Sequence, residues 1–119
     1  MYLKSFKELI VWQKSMDLAV LIFEVTSKFP KSELYGLTSQ MRRAVVSIPS
    51  NIAEGYGRRS KKEFRQFILI AYSSALELET QLLLAKRLEF VSIIEFEKTY
   101  SVLQETQKML NSLSSKLNG

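Results

Sequence analysis

Phe64, Ile68, Ala71, Ala75, Leu78, Leu82 and Ala85 follow one another at alternating steps of four and three. That spacing keeps all of them on one side of an α-helix, whereas in a strand it would scatter them over both faces. Ser60 and Glu63 fit a capping box in front of the run, the serine oxygen accepting a free backbone N–H. The pattern continues to about Phe90, a helix of roughly 45 Å at 1.5 Å per residue. A helix of that length with an apolar stripe needs partners of similar length, and this requirement governs the rest of the chain.

The other segments supply them. A helix is expected over about 6–29, opened by a Ser5/Glu8 capping box and stopped by Pro30. Its core stripe is read as Trp12, Met16, Ala19, Phe23 and Phe29, with Val11, Leu18 and Val25 beside it. A second helix is expected over about 37–55, with Leu37, Met41, Ala44, Val45, Ile48, Ile52 and Tyr56 facing the core. A fourth, over about 92–117, starts at a Ser92/Glu95 capping box and carries Ile93, Phe96, Tyr100, Leu103, Leu110 and Leu117, with Gln107 as the polar member. Four helices joined by short connections imply an all-α, antiparallel up-down four-helix bundle. At 119 residues the chain is expected to be one domain, 1–119.

Composition removes most chemistry. The chain has no Cys and no His, so disulfides, Cys- or His-based nucleophilic triads and ordinary zinc sites are unavailable. Glu77 and Glu79 diverge on a helix at i,i+2, and Asn51 with Glu54 supply too few oxygen ligands for a metal site. A non-enzymatic protein with no cofactor and no metal is expected. No apolar run approaches bilayer length, and the first residues lack a signal-like apolar stretch. The expectation is a cytoplasmic protein without membrane contact.

Positive charge is concentrated. Arg42, Arg43, Arg58, Arg59, Lys61, Lys62 and Arg65, set against Glu54 and Glu63, account for the whole net charge of +5. The Arg58–Arg65 group lies at the turn between the second and third helices, where Gly55 and Gly57 are read as allowing a sharp bend. A helix N-terminus there adds free N–H groups and a positive dipole end. These residues suit a phosphate backbone, RNA or DNA; an acidic protein partner and simple solvation of a loop are the alternatives.

Two further features precede the turn and follow it. Arg43, Ser47, Ser50, Asn51, Glu54 and Arg58 form a polar stripe along the second helix. Ser47, Ser50, Asn51 and Glu54 are read either as a polar network or subunit contact, or as a solvated face. Pro49, in the middle of that stripe, either kinks the helix or begins a new segment capped by Ser47. On the third helix Leu69, Tyr72, Leu76 and Leu83 make a second apolar row, suited either to deeper burial or to another subunit.

The segments FKELIVWQKSMDLAV and FPKSELYGLTSQMRRAVVSIPSNIAEGYGRRSKKEFRQFILIAYSSALELETQL resemble the four-helix-bundle proteins encoded within 23S rRNA intervening sequences, over about residues 6–83. The block SIPSNIAEG, Ser47–Gly55, is the most specific part. The resemblance implies a bundle that assembles as a ring-like homo-oligomer, a pentamer. The chain also looks like a relative of the accessory variability determinant of diversity-generating retroelements, a pentameric bundle with a basic surface. That likeness implies RNA or DNA, or a protein such as a reverse transcriptase, as partner.

Overall fold

Capping chemistry and backbone breaks divide the chain where the apolar pattern alone does not. In the computed structural model, which describes residues 4–118, four α-helices follow in order: α1 (Ile10–Thr26), α2 (Ser39–Tyr56), α3 (Lys61–Arg87) and α4 (Ile93–Lys116). No strand occurs among the described residues. Residues 1–3 and 119 of the expected domain lie outside them.

The first helix is shorter than its pattern. Ser5 accepts from the Lys7 N–H at 3.2 Å and Glu8 from the Lys4 N–H at 3.1 Å. The cap therefore closes a short 3-10 turn, Phe6–Glu8, and Leu9 is extended (φ −71, ψ 124) before α1 begins. Its core stripe is also displaced. Val11, Leu18, Ile22 and Val25 are buried, whereas Met16 and Phe23 are 41% and 42% exposed. α1 is apolar around more than half its circumference, so periodicity alone could not select the face. The buried stripe includes Ser15 and Thr26, whose hydroxyls bond back to the Trp12 and Ile22 carbonyls at 2.7 Å each. A hydroxyl satisfied within its own helix can enter a core, and this let two polar residues take inward positions.

After Pro30 a 3-10 turn (Lys31–Glu33) and a wide turn (Leu34–Thr38) lead into α2, which starts at Ser39 rather than Leu37. α2 is continuous through Pro49, which is buried inside it, so the proline does not begin a new segment. The expected core residues Leu37, Met41, Ala44, Val45, Ile48 and Ile52 are buried, and Tyr56 is half-buried.

α3 begins at Ser60, whose oxygen accepts from the Glu63 N–H at 3.1 Å. It ends at Arg87, short of Phe90. Glu89 adopts φ 60, and the Glu89 and Phe90 N–H groups bond to the carbonyls of Lys86 (3.0 Å) and Ala85 (2.9 Å). That is a Schellman closure with a glutamate where glycine is usual. α3 is long and apolar enough by composition to cross a bilayer, one window averaging a hydropathy of 1.3, so length and composition alone do not exclude a span. Here its Ile68–Ala85 stripe is buried against the other helices.

α4 starts at Ser92, which caps Glu95 at 3.2 Å. Glu95 also receives Lys28 at 2.7 Å, and that ammonium holds its carboxyl below the usual carboxylate range. Phe96, Leu103 and Leu110 face the core, but Ile93 is 68% exposed because it lies in the first turn, beyond the packed section.

Each helix packs on its chain neighbours and α4 closes back on α1, giving a square, antiparallel bundle of 44 × 25 × 22 Å around one apolar core. Between α3 and α4, Tyr100 donates to Glu79 at 2.6 Å and Gln107 donates to its other oxygen at 2.8 Å. The Glu79 bond, with burial, pushes the Tyr100 hydroxyl above its ordinary pKa.

The α2–α3 pair approaches most tightly at Gly55. A Cβ there would lie 2.7 Å from the Phe67 Cβ and 2.9 Å from a Phe64 ring carbon. Gly55 is thus helical and serves close packing, not a bend, and Gly57 ends α2 with ordinary helical geometry (φ −76). Gly55→Ala is expected to lower stability by about 1–3 kcal/mol through overpacking. Gly57→Ala, whose Cβ would meet nothing nearer than 3.5 Å, is expected to leave stability unchanged or raise it by ~0.4–1 kcal/mol. Urea midpoints of the two variants check this; equal midpoints would remove the packing role.

Candidate nucleic-acid interface

α2 stops because Gly57 and Arg58 direct their N–H groups to the Ala53 and Gly55 carbonyls at 3.2 and 3.0 Å. α3 starts two residues later at the Ser60 cap, so Arg58 and Arg59 occupy a turn clamped at both ends. Arg58, Arg59, Lys61 and Lys62 are all exposed there. The Arg58 guanidinium lies 4.6 Å from the centroid of the Phe67 ring, which limits its swing while leaving the charge at the surface. Among the described residues the ion pairs are Lys14–Glu105 and Lys28–Glu95, and neither touches this turn.

The other three expected cations divide differently. Arg42 donates from Nε to Thr26 Oγ1 at 2.9 Å and lies 4.7 Å over the Phe23 ring, tying α2 to the end of α1. Arg65 donates from Nε to the Ser114 carbonyl at 3.0 Å, tying α3 to the end of α4. Both are half-buried structural links. Arg43 is exposed on α2, more than three turns of helix away from Arg58.

The polar stripe separates into two parts. Ser47 Oγ meets Ser74 Oγ at 2.9 Å, and Asn51 Nδ2 donates to the Ser47 carbonyl at 2.8 Å and to its hydroxyl at 3.0 Å. This small network joins α2 to α3 within one chain, just beside Pro49. Ser50 and Glu54 are exposed and outside it. Sequence reasoning missed Ser74; a pair of serines interrupting the apolar run of α3 was the available signal. Asn51 spends its amide on Ser47, and no group of three or more Asp or Glu residues that could hold a metal ion occurs among the described residues.

Leu69, Leu76 and Leu83 are 38%, 44% and 39% exposed along the outside of α3, with Tyr72 half-buried beside them. A second apolar surface went unread in the sequence: Met16, Val20 and Phe23 of α1 with Val46 of α2. Between these helices runs a groove of about 360 Å³ lined by Trp12, Met16, Ala19, Val46 and Pro49.

Arg42→Ala and Arg65→Ala are each expected to lower stability by about 1 kcal/mol, the worth of a partly exposed charge-assisted bond. Arg59→Ala and Lys62→Ala are expected to stay within about 0.5 kcal/mol of the parent. Urea unfolding of the four variants separates ties from free cations.

The model of the 23S rRNA-intervening sequence protein family matches residues 7–112 of the chain. Among solved structures, a protein of unknown function from the S23 ribosomal protein family of Bacteroides thetaiotaomicron is similar at 28% identity. The match covers 87% of this chain and 96% of that one, with a TM-score of 0.81. No curated protein matches the chain.

Proposed function

This chain belongs to the 23S rRNA-intervening sequence protein family, and we propose that it is a non-enzymatic, self-associating bundle that binds the phosphate backbone of RNA or DNA through the α2–α3 turn. The observation that carries this reading is the turn itself. Arg58, Arg59, Lys61 and Lys62 are held exposed on a clamped bend with no acid paired to them among the described residues, beside a helix N-terminus whose dipole favours anions. Contacts of this kind draw their strength from counterion release and read little sequence. Reversal to Glu at these four positions is expected to abolish most RNA binding and flatten its salt dependence, the log–log slope losing about 0.9 for each duplex phosphate contact removed. Fluorescence anisotropy across a salt series reads both quantities. Binding equal to the parent's would show that the turn is not the site.

Self-association is supported by the two apolar surfaces, one on α1 and α2 and one on α3, each formed by several exposed apolar side chains. A ring formed by such unlike faces repeats each turn around an axis, and that multivalency converts weak local contacts into useful affinity. Resemblance to the accessory variability determinant of diversity-generating retroelements supports five subunits. Light scattering at micromolar concentration is expected to give a multiple of 13.8 kDa, reduced in Leu76→Glu with helicity retained. A monomeric parent would end the ring. The second reading, a scaffold that docks a protein such as a reverse transcriptase, draws on the same apolar surfaces. It requires that purified oligomer carry no nucleic acid at low salt.

A further inference from the structure

The bundle is electrically polarised along its long axis. The Lys28–Glu95 ion pair and the Phe29–Phe90 ring contact put the α1–α2 and α3–α4 connections at one end. The α2–α3 turn therefore shares the opposite end with the start of α1 and the close of α4. Two observations confirm the grouping. Arg65 reaches the Ser114 carbonyl, and a groove of about 440 Å³ joins Leu9 and Ile10 to Lys108, Met109 and Lys116.

Charge follows this division. Segments 4–9, 54–65 and 108–118 bring nine bases and three acids to the turn's end. Segments 24–43 and 84–99, at the far end, carry seven bases against five acids, a smaller excess. Lys4, Lys7, Lys108 and Lys116 therefore extend the turn into a pole about 25 × 22 Å across.

That pole lacks stacking platforms. Single-strand binding sites pair a basic track with exposed rings on which bases stack. Here Phe6 and Trp12 pack edge to face with centroids 5.2 Å apart, Tyr56 packs on Phe64 at 6.1 Å, and Arg58 covers Phe67. No aromatic side chain at this end, among the described residues, is fully exposed. A surface rich in cations and without open rings suits a ligand whose charge is dense and whose bases are already stacked. A duplex presents one phosphate charge per ~1.7 Å of axis, about twice the density of one strand. Resting on the reading above, we propose that the whole basic pole, including Lys4, Lys7, Lys108 and Lys116, seats the phosphate backbone of a nucleic-acid duplex in preference to a single strand.

The test compares a blunt RNA duplex with unstructured poly(U) of equal total nucleotides, by anisotropy over a salt series. Three proteins are needed: the parent, a near-pole Lys108→Glu/Lys116→Glu variant, and a far-pole Lys31→Glu/Lys98→Glu variant with the same net charge. The duplex is expected to bind at least about tenfold tighter than poly(U), and the near-pole variant to lose about 1.8 from the log–log salt slope. The far-pole variant should match the parent. Poly(U) binding as tightly as the duplex overturns the proposal. So does a near-pole variant that keeps the parent's slope, or a far-pole variant weakened equally, which would make net charge alone responsible. A parent that binds neither probe overturns the nucleic-acid reading of the turn itself, a different failure. Retained helicity by circular dichroism shows that each variant is folded.

Discussion

The rest of the molecule depends on how closely α2 and α3 approach at Gly55. With no Cβ there, Phe64 and Phe67 lie directly against the α2 backbone. The tight contact sets the register of the pair, bringing Ser47 opposite Ser74 further along. It also lets the connection between the two helices be short. Arg58 and Arg59 are exposed in that short connection, Arg58 lying over the Phe67 ring that packs on Gly55. The close packing at Gly55 and the cationic turn are thus neighbours in one structure.

Most polar groups inside the bundle are satisfied locally or by one neighbouring helix, whereas the buried Gln81 Oε1 has no hydrogen-bond partner among the described residues. Ser15, Thr26, Thr106 and Ser114 return their hydroxyls to carbonyls of their own helices. Such hydrogen bonds leave little desolvation cost and permit polar residues at core positions. Longer groups act between helices instead. Arg42, Arg65 and the Glu79–Tyr100–Gln107 cluster each cross one seam, so the square arrangement is tied by polar links as well as by the core.

Function is best understood as a division of labour between surfaces. The long sides expose apolar side chains on α1 and α3, while one end carries the larger excess of cations over acids. Stacking of copies side by side would leave those ends free and parallel.

Helix number, helix type and the caps at Ser60 and Ser92 could be read from the residues alone, because capping and the 3.6-residue period act within a few positions of the chain. The core faces of α2 and α3 were equally legible, each having one clear stripe. The core face of α1 was not, since two apolar stripes compete there and only contact with α2 and α4 chooses between them. Nor was the end of α3, where Glu89 takes a conformation that its side chain does not favour. The separation of Arg42 and Arg65 from Arg59, Lys61 and Lys62, and the union of three distant segments into one basic pole, were decided by tertiary structure alone. Whether a charge is tied or free depends on carbonyls and rings tens of residues away, which no local pattern can contain.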